Sequence, residues 1–192
     1  MNRPSFDGTR PDDLSARRQQ RRGPEGEVEV FGSDEQNAEA VDVGRWVALA
    51  RDVLIAEGVR GEAELSLLFV DEDAIADLNH RFMDETGPTD VLAFPIDERA
   101  ISSRWPDAAA SGPDRDDYDV DDLPLLLGDV VVCPAVAARQ APEHDSSYED
   151  ELALLVVHGV LHVLGHDHAA PDEAAAMRER ERDLLQRFHH RS

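Results

Sequence analysis

The segment that most restricts the fold is an almost wholly apolar run, Ala153–Leu164, which carries two histidines and ends at Gly165. It is shorter than the roughly 20 residues a membrane span needs. Read as a helix from about Tyr148 to Leu164, closed by Gly165, it places His158 and His162 one turn apart with an offset of about 40°. Two imidazoles so placed can share one metal ion. His168 could not join them on a continuous helix, because it would lie about 9 Å further along the axis, against Zn–N bonds of about 2.0–2.1 Å. Gly165 removes that obstacle, since glycine adopts the left-handed backbone that stops a helix and turns the chain back. The predicted metal ligands are therefore His158, His162 and His168, holding one Zn²⁺ per chain. Three histidines leave the fourth tetrahedral position open to water, the mark of a catalytic zinc site. His166 has the wrong phase for a ligand and is expected exposed or behind the ligands. Asp167 is placed to orient a ligand or fix the turn.

The same spacing, HxxxHxxGxxH, occurs in metzincin proteases, where a glutamate beside the first histidine is the general base. Here that position is Gly159. A protease reading is disfavoured for want of a proton acceptor.

The rest of the chain supplies a frame for this helix. Residues 1–26 are rich in Arg, Pro, Gly, Asp and Gln and read as a disordered tail. The folded domain is expected over 27–190. Glu27–Phe31 alternates charged and apolar residues like a half-buried strand. Trp46, Val47, Ala50, Val53 and Leu54 recur at helical spacing, with Gly58 as C-cap. Glu64–Val70 reads as a strand leading to Asp71, the N-cap of a short helix presenting Ile75, Leu78 and Phe82. Asp90–Phe94 is a short strand stopped by Pro95.

Asp97–Pro124 then holds nine acidic residues against three arginines and little apolar periodicity. It reads as an exposed acidic insertion. Asp114, Asp116 and Asp119 do not complete an EF-hand spacing, so calcium binding is not expected. Order returns at Leu125–Cys133, an apolar strand buried on both faces. Pro134 opens a short helix, and Ser146 with Glu149 is a candidate capping box for the histidine helix. Pro171 starts the last helix, whose Met177, Leu184, Leu185 and Phe188 pack inward while the Arg178–Arg182 charge run is solvated. Strands alternating with helices predict an α+β sandwich around one mixed, mostly parallel β-sheet of about four strands.

Composition narrows the function. The 192-residue chain carries 19 basic residues, all arginine, against 42 acidic ones, a formal charge of -23. Such a chain repels nucleic acid at long range, so any RNA role needs a local basic patch or the metal. Cys133 is the only cysteine, which excludes intramolecular disulfides and Cys-rich zinc sites. It is expected to be a small buried thiol. With no apolar stretch of signal-peptide or membrane-span type, the expected compartment is the cytoplasm.

The HGxLHxxGxDH segment resembles the YbeY family of bacterial rRNA maturation endoribonucleases. Asp71–Asn79 (DEDAIADLN), Gly87–Pro95 (GPTDVLAFP), Leu127–Cys133 (LGDVVVC) and Gln140-Ala141 resemble further family segments in the same order, over about residues 27–190. The resemblance implies a small α/β fold with a zincin-like metal helix and a zinc on His158, His162 and His168. It also implies cleavage of single-stranded RNA near the 3′ end of the 16S rRNA precursor, and a part in ribosome quality control. A family arginine that follows the aromatic of the Leu-Asn segment is Met83 here. Arg81, two residues earlier, is the candidate for stabilising phosphate charge. Ala93 stands for a usual Ser and His166 for a common Tyr. The charge further suggests that a small ribosomal subunit or an associated protein presents the RNA. The rivals are a metal-dependent hydrolase of another substrate, such as a peptide, and a non-enzymatic ribosome-associated module stapled by zinc.

Overall fold

The computed structural model describes residues 27–96, 124–166 and 170–189. The expected tail, the acidic insertion (except Pro124), Asp167 and His168 lie outside the described residues. In chain order the elements are β1 (Val28–Asp34), α1 (Val43–Ala56), β2 (Ala63–Phe69), α2 (Glu72–Met83), β3 (Val91–Pro95) and β4 (Leu125–Val132). There follow α3 (Pro134–Gln140), a 3-10 turn (Ala141–His144), α4 (Tyr148–Val163) and α5 (Pro171–Phe188). The four strands form one sheet in the order β1-β2-β4-β3. The first three are parallel and β3 runs antiparallel along β4. This is the expected mixed, mostly parallel sheet, and Pro95 is tolerated because β3 is an edge strand.

Strand alternation sends side chains to two unequal faces. Val30, Leu65, Leu67, Val130 and Val132 join α1 and α4 in the main core. The opposite face packs Val70, Leu92, Val131 and Cys133 against Ile75 of α2 and Val136 of α3. Burial pushes the Cys133 thiol above its ordinary pKa, as fits an inert packing residue. On α2, Ile75 is buried and Leu78 partly so, but Phe82 is 58% exposed. The inward position beside them goes instead to Asn79, whose amide donates to the Gly87 carbonyl at 3.0 Å. Asp71 caps α2 as expected, accepting from the Ala74 N–H at 2.8 Å.

The histidine helix α4 is the centre of the fold. It packs on β3, β4, α1 and α5, and Leu152, Ala153, Val156, Val157, Val160 and Leu161 are all 0% exposed. Each of the leucines and valines among them contributes about 1.5–3 kcal/mol by leaving water, so α4 is held rigidly against the sheet. Its N-cap is Ser147, whose Oγ accepts from the Asp150 N–H at 3.1 Å. The expected Ser146–Glu149 box does not form, because Ser146 instead donates to the Ser147 carbonyl. Arg45 takes up Glu149 in an ion pair across to α1.

Tyr148, the first residue of α4, donates its hydroxyl to the Ala40 carbonyl at 3.2 Å. Burial, with Glu39 and Asp34 nearby, pushes this hydroxyl up to about 12. The ordinary value, shared by the unfolded chain, is about 10. Because the folded-state value is the higher, the stability contributed by this proton is complete below pH about 10 and is lost as pH rises through about 12. Near-ultraviolet absorbance titration is therefore expected to show one of the two tyrosines ionising late. Tyr148→Phe should remove that late phase, and its survival in the variant would contradict the assignment.

Candidate metal centre

Four-residue spacing on α4 brings His158 and His162 together, and their Nε2 atoms lie 3.1 Å apart. The rings meet edge to face at 75°, with centroids 4.5 Å apart. Two nitrogens bound at 2.0–2.1 Å to one tetrahedral ion would be separated by about 3.4 Å. The observed pair is within a few tenths of an ångström of that spacing. Behind the pair, Glu181 of α5 places Oε1 2.7 Å from His158 Nδ1. A carboxylate accepts there from Nδ1–H, which fixes the tautomer and turns the Nε2 lone pair toward His162. A cation between the two Nε2 atoms would be attracted by both lone pairs, so the donors suit a metal such as zinc.

The helix stops at the glycine where the histidine spacing predicts a turn. Gly165 has φ +86°. Its N–H donates to the His162 carbonyl at 2.9 Å, and the His166 N–H donates to the Leu161 carbonyl at 3.0 Å. These two bonds form a Schellman stop, open to glycine because it bears no Cβ. The His166 side chain is partly exposed, with Nε2 3.5 Å from Glu57 Oε2. Glu57 also binds Arg180 Nε of α5 at 2.6 Å, tying the turn to two helices. Among the described residues no group of three or more His, Cys, Asp or Glu is gathered for a metal. His168 lies outside them.

Gly159 has a packing reason. A Cβ there would fall 2.5 Å from Val130 Cγ1 and 3.3 Å from Val91 Cγ2. The face of α4 beside His158 is pressed onto the sheet, so no glutamate could act from position 159. The argument against a metzincin-type protease is thus one of space as well as of chemistry.

The Arg178–Arg182 run departs from the expected solvated face. Glu181 is only 8% exposed, facing α4 between Met177 and Leu184. Arg178 remains exposed, and it lines a cavity of about 510 Å³ together with Asp90, His144, Glu151, His158 and Glu181. Asp90 serves structure at the cavity edge, accepting from the Val91 N–H at 2.8 Å and from Thr89 Oγ1 at 3.1 Å.

The endoribonuclease YbeY family model matches residues 32–189. The chain belongs to the YbeY family. Among its YbeY relatives, the endoribonuclease YbeY of Beutenbergia cavernae is 50% identical over 148 residues, spanning 77% of this chain and 89% of that protein. The endoribonuclease YbeY of Salinispora tropica is 50% identical over 137 residues, 71% and 82% of the respective chains. That of Frankia alni is 48% identical over 157 residues, 81% of this chain and 80% of the relative. The solution structure of TM1509 from Thermotoga maritima matches at a TM-score of 0.49 and 22% identity, covering 84% of this chain and 91% of that one. In this YbeY-family chain Arg81 is exposed on α2, its guanidinium 5.5 Å above the Phe82 ring. It is not among the residues lining the cavity beside His158. Met83, where the family arginine was expected, is 46% exposed. No helix among the described residues is long and apolar enough to cross a membrane.

Proposed function

We propose that the chain, through its domain at 27–190, is a zinc-dependent endoribonuclease that hydrolyses single-stranded RNA. Its ligands would be His158, His162 and His168, and its place the cytoplasmic maturation of the 16S rRNA 3′ end, with a part in ribosome quality control. The observation that carries this reading is the convergence of His158 and His162 Nε2 at 3.1 Å, in a chain of an endoribonuclease family. A zinc ion held there supplies Lewis acidity, drawing charge from a phosphoryl oxygen and making water a stronger acid. The protein's own part is to hold and orient. Glu181 keeps the His158 ring turned toward the ion's position. Arg178, on the cavity wall, is a better placed phosphate contact than Arg81, since a guanidinium fork matches two phosphate oxygens. The net charge of -23 predicts weak, salt-sensitive binding of bare RNA. A small ribosomal subunit or a protein bound to it would then present the substrate.

The test is cleavage of labelled single-stranded RNA spanning the mature 16S 3′ end, alone and with small subunits, before and after chelation. Cleavage that stops on chelation and returns with zinc is expected. Zinc-loaded protein that cleaves under neither condition would overturn the nuclease reading and leave zinc as a staple of the last two helices. Peptide turnover would instead favour another hydrolase. Glu181→Ala is expected to weaken zinc binding by about 10–100-fold, the usual effect of removing a carboxylate behind a metal-bound histidine. Competition with a chromophoric chelator measures it, and an unchanged affinity would remove Glu181 from the site.

A further inference from the structure

Glu57 follows α1 directly and precedes the turn at Gly58, whose φ is +90°. Glutamate is an unfavourable choice there. A negative charge at a helix C-terminus opposes the helix dipole. The side chain is also only 10% exposed, and an unpaired carboxylate is costly at such a position. The partners that offset both costs come from the two elements that frame the histidine pair. Oε1 accepts from Arg180 Nε of α5 at 2.6 Å, and Oε2 lies 3.5 Å from His166 Nε2 in the turn that ends α4.

Other shielded acids serve one imidazole. Glu181 holds His158 at 2.7 Å, and Glu151, 3% exposed, holds His144 at 3.0 Å. Glu57 instead joins two elements. Successive helix residues point about 100° apart, so α5 turns Arg180 toward α1 and Glu181 toward α4. One carboxylate on α1 thus fixes the stretch of α5 that carries Glu181 and also reaches the turn after His162. In the sequence that turn leads to His168, two residues beyond His166.

We propose that Glu57 is a positioning residue for the metal centre, clamping Arg180 and His166 so that the Glu181-bearing stretch of α5 stays in register with the turn after His162. The inference rests on the zinc reading above. Glu57 makes no bond to the ion in this account; it holds the groups that do the holding.

The test uses the full chain and zinc alone, with a chromophoric chelator in competition and thermal unfolding of the metal-free and zinc-loaded forms. Glu57→Ala is expected to weaken zinc binding by about 10-fold, the lower end of what residues behind metal ligands contribute. The gap between zinc-loaded and metal-free Tm should narrow with it. A purely structural role would lower both Tm values together and leave the affinity unchanged, which would overturn the proposal. Glu57→Gln keeps the size of the side chain and an acceptor for Arg180, so its affinity should stay closer to the parent's than to that of Glu57→Ala. A loss as large as the alanine variant's would mean that Glu57 acts by charge at a distance, and would overturn the clamp. His166→Ala breaks the same link from a partly exposed ring, and it carries the test even where Glu57→Ala fails to fold. It should weaken zinc binding, and by no more when combined with Glu57→Ala. Unchanged affinity in His166→Ala, or losses that add, would overturn the proposal while leaving the zinc reading intact. A parent chain that takes up no zinc would overturn both.

Discussion

His162→Ala is expected to abolish stable zinc binding and RNA cleavage together while leaving the fold largely intact. Carboxylates that merely support a metal-bound histidine are worth about 10–100-fold in affinity, so removing a ligand should cost more than about 100-fold. His162 is partly exposed on a helix whose buried faces lie elsewhere. Truncating it therefore opens little cavity, and the loss should fall on the metal rather than on stability. Zinc content of the purified protein, thermal unfolding and the RNA assay separate these effects. A variant that kept full zinc occupancy would contradict the assignment of His162.

Gly159→Ala is expected to destabilise the fold, although alanine is the better helix former. The propensity gain is about 1 kcal/mol. Against it, the new methyl group would come 2.5 Å from Val130 Cγ1, and Val130 is 0% exposed with no room to retreat. Overpacking of this kind costs about 1–3 kcal/mol, so at the middle of that range the clash wins by about 1 kcal/mol. For a chain of this size that lowers Tm by about 2–4 °C. Gly159→Glu adds a buried carboxylate and should prevent folding altogether. An alanine variant as stable as the parent would show that α4 does not press on the sheet at this point.

Much of this was legible in the sequence because period and punctuation agreed. The apolar run and Gly165 fixed α4 and its stop, and strand–helix alternation gave the sheet. Two adjacent serines hid the cap of α4, because Ser146 and Ser147 differ by one position and only one can present its hydroxyl to the helix. Phe82 has the spacing of an inward residue, but it lies at the margin of the α2 contact, where its ring meets the edge of Phe94 at 5.0 Å between centroids and stays 58% exposed. Glu181 was concealed by its charge. Met177, Glu181, Leu184 and Phe188 follow one another at intervals of four, three and four, an inward-facing helical pattern. A lone acid within it signals a buried partner such as His158. Glu151, three residues after Tyr148 on the apolar side of α4, is a second acid of this kind. Neither pairing could be found from one helix alone, since each partner comes from a separate element.

The most direct test is X-ray absorption at the zinc edge of the purified protein. The account predicts one zinc per chain in a shell of nitrogen and oxygen at about 2.0–2.1 Å, with the scattering of three imidazoles and no sulfur. Protein that takes up no zinc, or whose zinc shows a sulfur ligand or a single imidazole, would contradict it.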